Sequence, residues 1–190
     1  ILGSVAVAAY TAAGKVEQFV TQPFLALGMT MATYCAQNTG INDIKRIRAG
    51  VLIANIMSAI YGVVIAFVVV FAMPHAIKLF IVDDAAMITE YAKTYIGITS
   101  VFFIPLGMIF IFRNVLQGCG YSFVPIMGGI VELASRAVLA VLAASLMSFT
   151  GVCFANAAAW ITAGLYLWIS YLYTMRKWER KQTIFQDNTV

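Results

Sequence analysis

The side chains able to do chemistry in this chain are few, and most stand inside long apolar runs. Glu132 and Arg136 lie four residues apart in Ser122–Met147, a stretch with no other charge. On a helix that spacing puts both on one face, acid first, the favourable order for an ion pair. The pair reads either as a proton- or cation-sensitive site or as a self-neutralised brace that reaches a neighbouring helix through Arg113. Arg113 itself stands with Asn114 and Gln117 at the end of another apolar run. A second polar group is Lys15, Glu17, Gln18 and Gln22. Glu17 and Gln18 either face a central cavity, where a carboxylate suits a cationic substrate or a coupling ion, or belong to a Lys/Glu group in interfacial water. Gln37 and Asn38 cap helix carbonyls or line a path. His75, beside Pro74, reads as interfacial, with a ligand role as the alternative. A charge at the bilayer centre costs about 2.5–3.5 kcal/mol on insertion, so each such residue needs a partner or a wet cavity.

Covalent chemistry finds no support. The chain has no nucleophile–base pair, no H-E-x-x-H and no glycine-rich phosphate loop. Asp83-Asp84 lacks a second aspartate cluster with which to share a metal. The cysteines Cys35, Cys119 and Cys153 are odd in number and widely spaced, so they read as free apolar thiols rather than a disulfide framework or zinc site. No catalytic residue, metal or organic cofactor is expected, and the chain does not read as an enzyme.

The elements that must position these residues are membrane helices. Of 190 residues, 62% are hydrophobic and 11% charged, against about 45–50% and about 25% in a soluble domain. That composition excludes disorder, a disulfide scaffold and a nucleic-acid binder. Five runs are long enough for a helix that satisfies its own backbone in lipid. They lie within Gln18–Asn42, from about Arg48 to Phe80, from about Ala86 to Leu116, over Ser122–Met147 and over Cys153–Met175. Ile1–Ala13 is apolar but too short to cross and reads as the severed end of a further helix. The chain, starting at Ile1, looks like a piece of something longer.

Asn38-Thr39-Gly40 closes the first span, and Asp83-Asp84 can cap the third. Gly118-Cys119-Gly120 separates the third from the fourth, which Ser122 and Pro125 can open. Phe149-Thr150-Gly151 is the turn before the fifth. Basic residues set the orientation. Lys45, Arg46, Arg48, Arg113, Arg176, Lys177, Arg180 and Lys181 fall on one side, against Lys15, Lys78 and Lys93 on the other, which puts the C-terminus in the cytoplasm. Gly50, Ala54, Ser58, Gly62 and Ala66, and likewise Ala155, Ala159 and Ala163, form faces of small residues for close helix contact. Tyr91, Tyr95, Tyr173 and Trp178 fit interfacial belts.

The stretch from Val7 to Phe19, reading VAAYTAAGKVEQF, is followed by Gln22-Pro23 and then by Tyr34-Cys35-Ala36-Gln37-Asn38-Thr39-Gly40. Together they resemble the multidrug and toxic compound extrusion (MATE) transporters, in the branch related to DNA-damage-inducible protein F. Arg113-Asn114-Val115-Leu116-Gln117-Gly118-Cys119-Gly120, Pro125 and the Glu132/Arg136 pair match the same branch. The resemblance covers nearly the whole chain. It implies an all-α polytopic bundle, one lobe of a two-lobe transporter built from repeats. Residues 1–14 would be the end of a truncated helix, 15–176 the five-helix remainder of the C-terminal lobe, and 177–190 a cytoplasmic tail.

By the same resemblance the parent is a cation-coupled antiporter. It would export drugs and other amphipathic or cationic compounds across the bacterial inner membrane in exchange for Na+ or H+. Its partners would be the lipid bilayer, drug-like molecules and the missing N-terminal lobe, with no nucleic acid. Some relatives carry an acid in the third span; here the segment after Pro105 reads Leu106-Gly107-Met108-Ile109-Phe110, with no carboxylate. Glu17 is the nearest cavity carboxylate in this chain. Gln18, Gln37, Asn38, Phe24, Met29, Phe103 and Phe110 complete the expected substrate or ion surface, and Arg113, Glu132 and Arg136 the buried charge network. A lipid-linked oligosaccharide flippase of the same superfamily and a non-transporting membrane scaffold are the rival readings.

Overall fold

A computed structural model describes residues 4–80, 85–145 and 149–187. It consists of six helices: α1 (Ser4–Gly40), α2 (Ile44–Phe80), α3 (Ala85–Val101), α4 (Phe103–Gly118), α5 (Phe123–Ser145) and α6 (Phe149–Asp187). Three carry segments long and apolar enough to cross a membrane: Ile44–Ala72, Phe123–Ala143 and Thr150–Arg180. Glu90–Val101 and Phe103–Gly118 together make a fourth, bent by 54°. The expected third span is therefore broken. Pro105 has no N–H to offer the Val101 carbonyl one turn back, and its ring crowds that carbonyl, so the helix breaks at Phe102.

The first helix runs through Pro23 without interruption for 37 residues, about 55 Å at 1.5 Å per residue. Ser4–Ala13, expected as the end of a separate helix, is instead continuous with the rest of α1. The last helix also departs from expectation. It starts at Phe149, so Thr150 and Gly151 form its first turn, and it continues past Met175 to Asp187. Within the stretch expected as a tail, residues 177–187 continue this helix. His75's side chain and Asp83-Asp84 lie outside the described residues.

Two turns show why the chain reverses where it does. After Gly40 the Asp43 N–H donates to the Asn38 carbonyl at 2.9 Å, and Asn42 takes a left-handed φ of 58°. Asp43 Oδ1 then accepts the Arg46 N–H at 2.9 Å, capping α2. The end of α6 grips this turn: Trp178 Nε1 donates to Asn42 Oδ1 at 2.8 Å, and Gln182 Nε2 donates to the Asn42 carbonyl at 2.7 Å. At the end of α4, Gly120 has φ 86° and the Tyr121 N–H returns to the Leu116 carbonyl at 2.9 Å. Only glycine adopts that left-handed backbone without strain.

Close helix contact holds the bundle together. The α1–α4 pair runs parallel, with Gly107 against Phe24, Gly28 against Phe110 and Gly118 against Ala32. A Cβ on Gly28 would sit 2.8 Å from the Phe110 carbonyl oxygen, so the backbones meet only because side chains are missing there. Further along the same pair of helices, Cys35 and Cys119 are both buried as free thiols. The expected small-residue faces pack as such: Ala54, Ser58 and Gly62 of α2 are buried, as are Ala155, Ala159 and Ala163 of α6. By contrast α5 rests chiefly on α6 and leaves Leu133, Val138 and Val141 exposed.

Candidate functional site

Helical spacing builds the site. Tyr10, Gly14, Glu17 and Thr21 recur at steps of four, three and four, so they form one stripe along α1. That stripe borders a cavity of about 300 Å³ whose other walls are Tyr95 of α3, Leu106 and Phe110 of α4, Arg136 of α5, and Asn156 and Trp160 of α6. Every helix except α2 contributes. Without α1 passing alongside the α3–α4 bend, the carboxylate would not reach Tyr95.

A chain of neutral donors holds Glu17. The Tyr95 hydroxyl donates to Glu17 Oε2 in a short hydrogen bond. Asn156 Nδ2 in turn donates to the Tyr95 hydroxyl at 3.2 Å and to the Tyr10 hydroxyl at 3.1 Å. The two tyrosine rings meet edge to face with centroids 5.0 Å apart, which fixes both hydroxyls. Glu17 is half-buried while Lys15 is exposed. Among the described residues the ion pairs are Arg48–Glu179, Arg113–Glu132 and Arg136–Glu132, so the alternative of a Lys15–Glu17 pair is not realised.

The second wall is differently charged. Arg136 Nη2 lies 2.8 Å from Glu132 Oε1, and Arg113 Nη2 lies 3.0 Å from Glu132 Oε2. One carboxylate thus serves two guanidinium groups, and the cluster keeps one surplus positive charge. Arg136 carries that surplus to the cavity rim. The site can therefore receive a cation or proton at Glu17, with a fixed positive charge opposite that limits how tightly the cation is held.

Several expected site residues lie elsewhere. Phe110 does line the cavity with Glu17. Phe24 and Phe103 are core residues, 1% and 0% exposed; Phe24 meets Tyr61 edge to face and packs at a tilt against Phe103 rather than facing a ligand. Met29 is 60% exposed on the outside of α1. Gln18 and Gln37 are exposed, away from the cavity. Asn38 is buried in the α1–α2 turn, where Nδ2 donates to the Tyr34 carbonyl at 2.7 Å. It bonds back within its own helix and does not line the cavity.

Tyr10, Asn156 and Trp160 do not stand out in the sequence, and Tyr95, expected in an interfacial belt, is 2% exposed inside the bundle. The four-three-four stripe on α1 held the signal for Tyr10. Asn156, a lone amide in an alanine-rich run, held a weaker one for itself.

The architecture is that of the multi-helix membrane transporters of the MATE type. The MatE family profile matches residues 1–142, and the chain belongs to that family. Among solved structures it is similar to MATE in complex with MaL6, at 14% identity and TM-score 0.88, covering 94% of this chain and 41% of that one. A MOP-superfamily transporter from Pyrococcus furiosus, described as having a binding pocket of reverse polarity, matches at 14% identity and TM-score 0.86, over 93% and 40%. The Vibrio cholerae MATE transporter VcmN in its bent form matches at 22% identity and TM-score 0.84, again over 93% and 40%. The chain thus spans about 40% of the length of these transporters. No curated protein matches it.

Proposed function

We propose that this chain is the C-terminal lobe of a cation-coupled antiporter that exports drugs and other amphipathic or cationic compounds by alternating access, with Na+ or H+ as the coupling ion. The observation that carries the reading is Glu17, a carboxylate inside a membrane bundle that is held by Tyr95 and borders a cavity but has no cationic partner bonded to it. Even a half-buried carboxylate inside a membrane bundle, without a salt bridge, favours a proton or a metal cation over remaining bare. Its site would load the ion, and loading would bias the transporter between its outward- and inward-facing states. Phe110 and Trp160 supply apolar wall for a drug-like substrate.

The distribution of basic residues supports a C-terminus in the cytoplasm of the bacterial inner membrane, and the motifs named above support the branch related to DNA-damage-inducible protein F. The N-terminal lobe would be the chain's obligatory partner. A flippase for lipid diphosphates is disfavoured because the cavity pairs one arginine, already engaged by Glu132, with a carboxylate. A scaffold without transport has no use for a polar cavity.

The test uses the full natural polypeptide in vesicles, with efflux of a cationic dye followed against imposed Na+ and pH gradients. Glu17→Gln keeps the hydrogen bond from Tyr95 and removes the charge. Ion-driven efflux should fall at least about tenfold, roughly 1.4 kcal/mol. Efflux unchanged for every substrate under both gradients would remove Glu17 from the mechanism.

A further inference from the structure

The face of α4 opposite the Glu17 cavity carries a second, larger concavity. Leu106 and Phe110 point to the Glu17 cavity, whereas Ile104, Met108 and Phe112 are displaced by two residues, about 200° around the helix. They form the floor of a cleft of about 730 Å³ between α2 and α6. That size is within the range of about 300–1,000 Å³ usual for small-molecule sites.

Three features define what fits. The body of the cleft is apolar, with Leu52 and Ile56 of α2 facing Trp168 of α6. Its rim residues are open outward, with Leu52 62%, Ile56 50% and Trp168 41% exposed. They are continuous with Ile53, Ile60 and Val63, the bare apolar side of the spanning segment of α2. The cleft therefore opens sideways on the apolar side of a spanning helix, where a molecule already in the bilayer can reach it. Its charge is confined to one end, where Arg48 and Arg176 both line it. Arg48 is neutralised by Glu179 at 2.8 Å, while Arg176 makes no ion pair among the described residues, leaving a net positive charge.

From this charge complementarity we infer that the cleft is a binding site for a phospholipid with a net anionic headgroup, its phosphate at Arg176 beside Arg48 and one acyl chain along the α4 floor. A zwitterionic lipid would fill the same apolar body but gain less at the arginine end, because its own ammonium offsets the phosphate. The site does not depend on which ion or drug the transporter carries.

The experiment is native mass spectrometry of the full polypeptide in nonionic detergent, with phosphatidylglycerol or phosphatidylcholine of identical chains added. Phosphatidylglycerol should be retained about fivefold more, the effect expected of one interfacial arginine. Arg176→Gln should abolish that preference, while Arg180→Gln, at the same end but outside the cleft, should preserve it. Ala59→Phe, which fills the cleft body and leaves both arginines in place, should lower retention of both lipids. Equal retention of the two lipids by the unsubstituted protein overturns the proposal. So does a preference that survives Arg176→Gln, one that Arg180→Gln removes as well, or retention unaffected by Ala59→Phe. In the last case another protein segment or annular lipid accounts for the cleft.

Discussion

Two of the chain's four glutamates, Glu132 and Glu17, sit among facing helices, and their surroundings differ in kind. Glu132 sits between two guanidinium groups, at 3.0 Å from Arg113 and 2.8 Å from Arg136. Glu17 is held by a tyrosine hydroxyl that is itself held by an amide. The first carboxylate is fully neutralised by protein and has nothing left to offer a ligand. It ties α5 to α4, which otherwise share little surface because α5 leans on α6. The second carboxylate has no bonded cation. In a membrane bundle the presence of an acid is therefore a poor guide to function. What matters is whether its partner is charged, because a charged partner competes with the transported cation and a neutral one helps to coordinate it.

This contrast breaks most sharply at Glu132. Replacing it by glutamine leaves two guanidinium groups without a counter-charge in a half-buried site. The loss of stability is expected to be about 2–4 kcal/mol, less than for a fully buried pair because all three side chains retain some exposure. The thermal unfolding midpoint of the purified full polypeptide should drop, while the ion dependence of whatever transport remains should not change. A variant of normal stability with altered ion dependence would reverse the roles assigned to the two acids.

At the other acid, Tyr95→Phe sharpens the comparison. It keeps the edge-to-face contact with Tyr10 and removes only the hydroxyl that Glu17 accepts from, a bond to a charged group worth about 1.5–3 kcal/mol. The cation concentration giving half-maximal efflux should shift by tenfold or more, with a smaller change in unfolding midpoint than for Glu132→Gln. A shift in stability alone would make Tyr95 a packing residue. The smallest effect belongs to the other ion-paired acid. Glu179 meets Arg48 at 2.8 Å with both side chains more than 40% exposed, and such pairs contribute about 0–1 kcal/mol. Glu179→Gln should leave the unfolding midpoint within about 2 °C and efflux unchanged.

Much of this was legible from residue spacing. The Glu132–Arg136 pair follows from an interval of four, as does its reach to Arg113 once the two spans are neighbours. The small-residue faces of α2 and α6 were equally readable, because helical periodicity alone puts them on one side. The bend at Phe102 had its cause in plain view at Pro105. The substrate surface was less legible. Phe24 and Phe103 are large, apolar and at the right depth, yet they are buried against each other, while Met29, four residues from Leu25, points outward. Tyr95 looked interfacial from its position near a span end, and the bend turned it into the bundle.

Composition and the lengths of the apolar runs determined that this is a helical membrane protein. The interval between acid and base on one helix determined that Glu132 would be neutralised. Both are local properties, set by the cost of exposing backbone and charge to lipid and by 3.6 residues per turn. Only tertiary structure decided that Glu17 would meet Tyr95 and Asn156, 78 residues from the one and with the other on a further helix. That meeting depends on how far each helix rotates about its own axis and how closely α1 and α4 approach at Gly28 and Gly118. Rotation and approach are fixed by packing between helices, which periodicity within a helix does not encode.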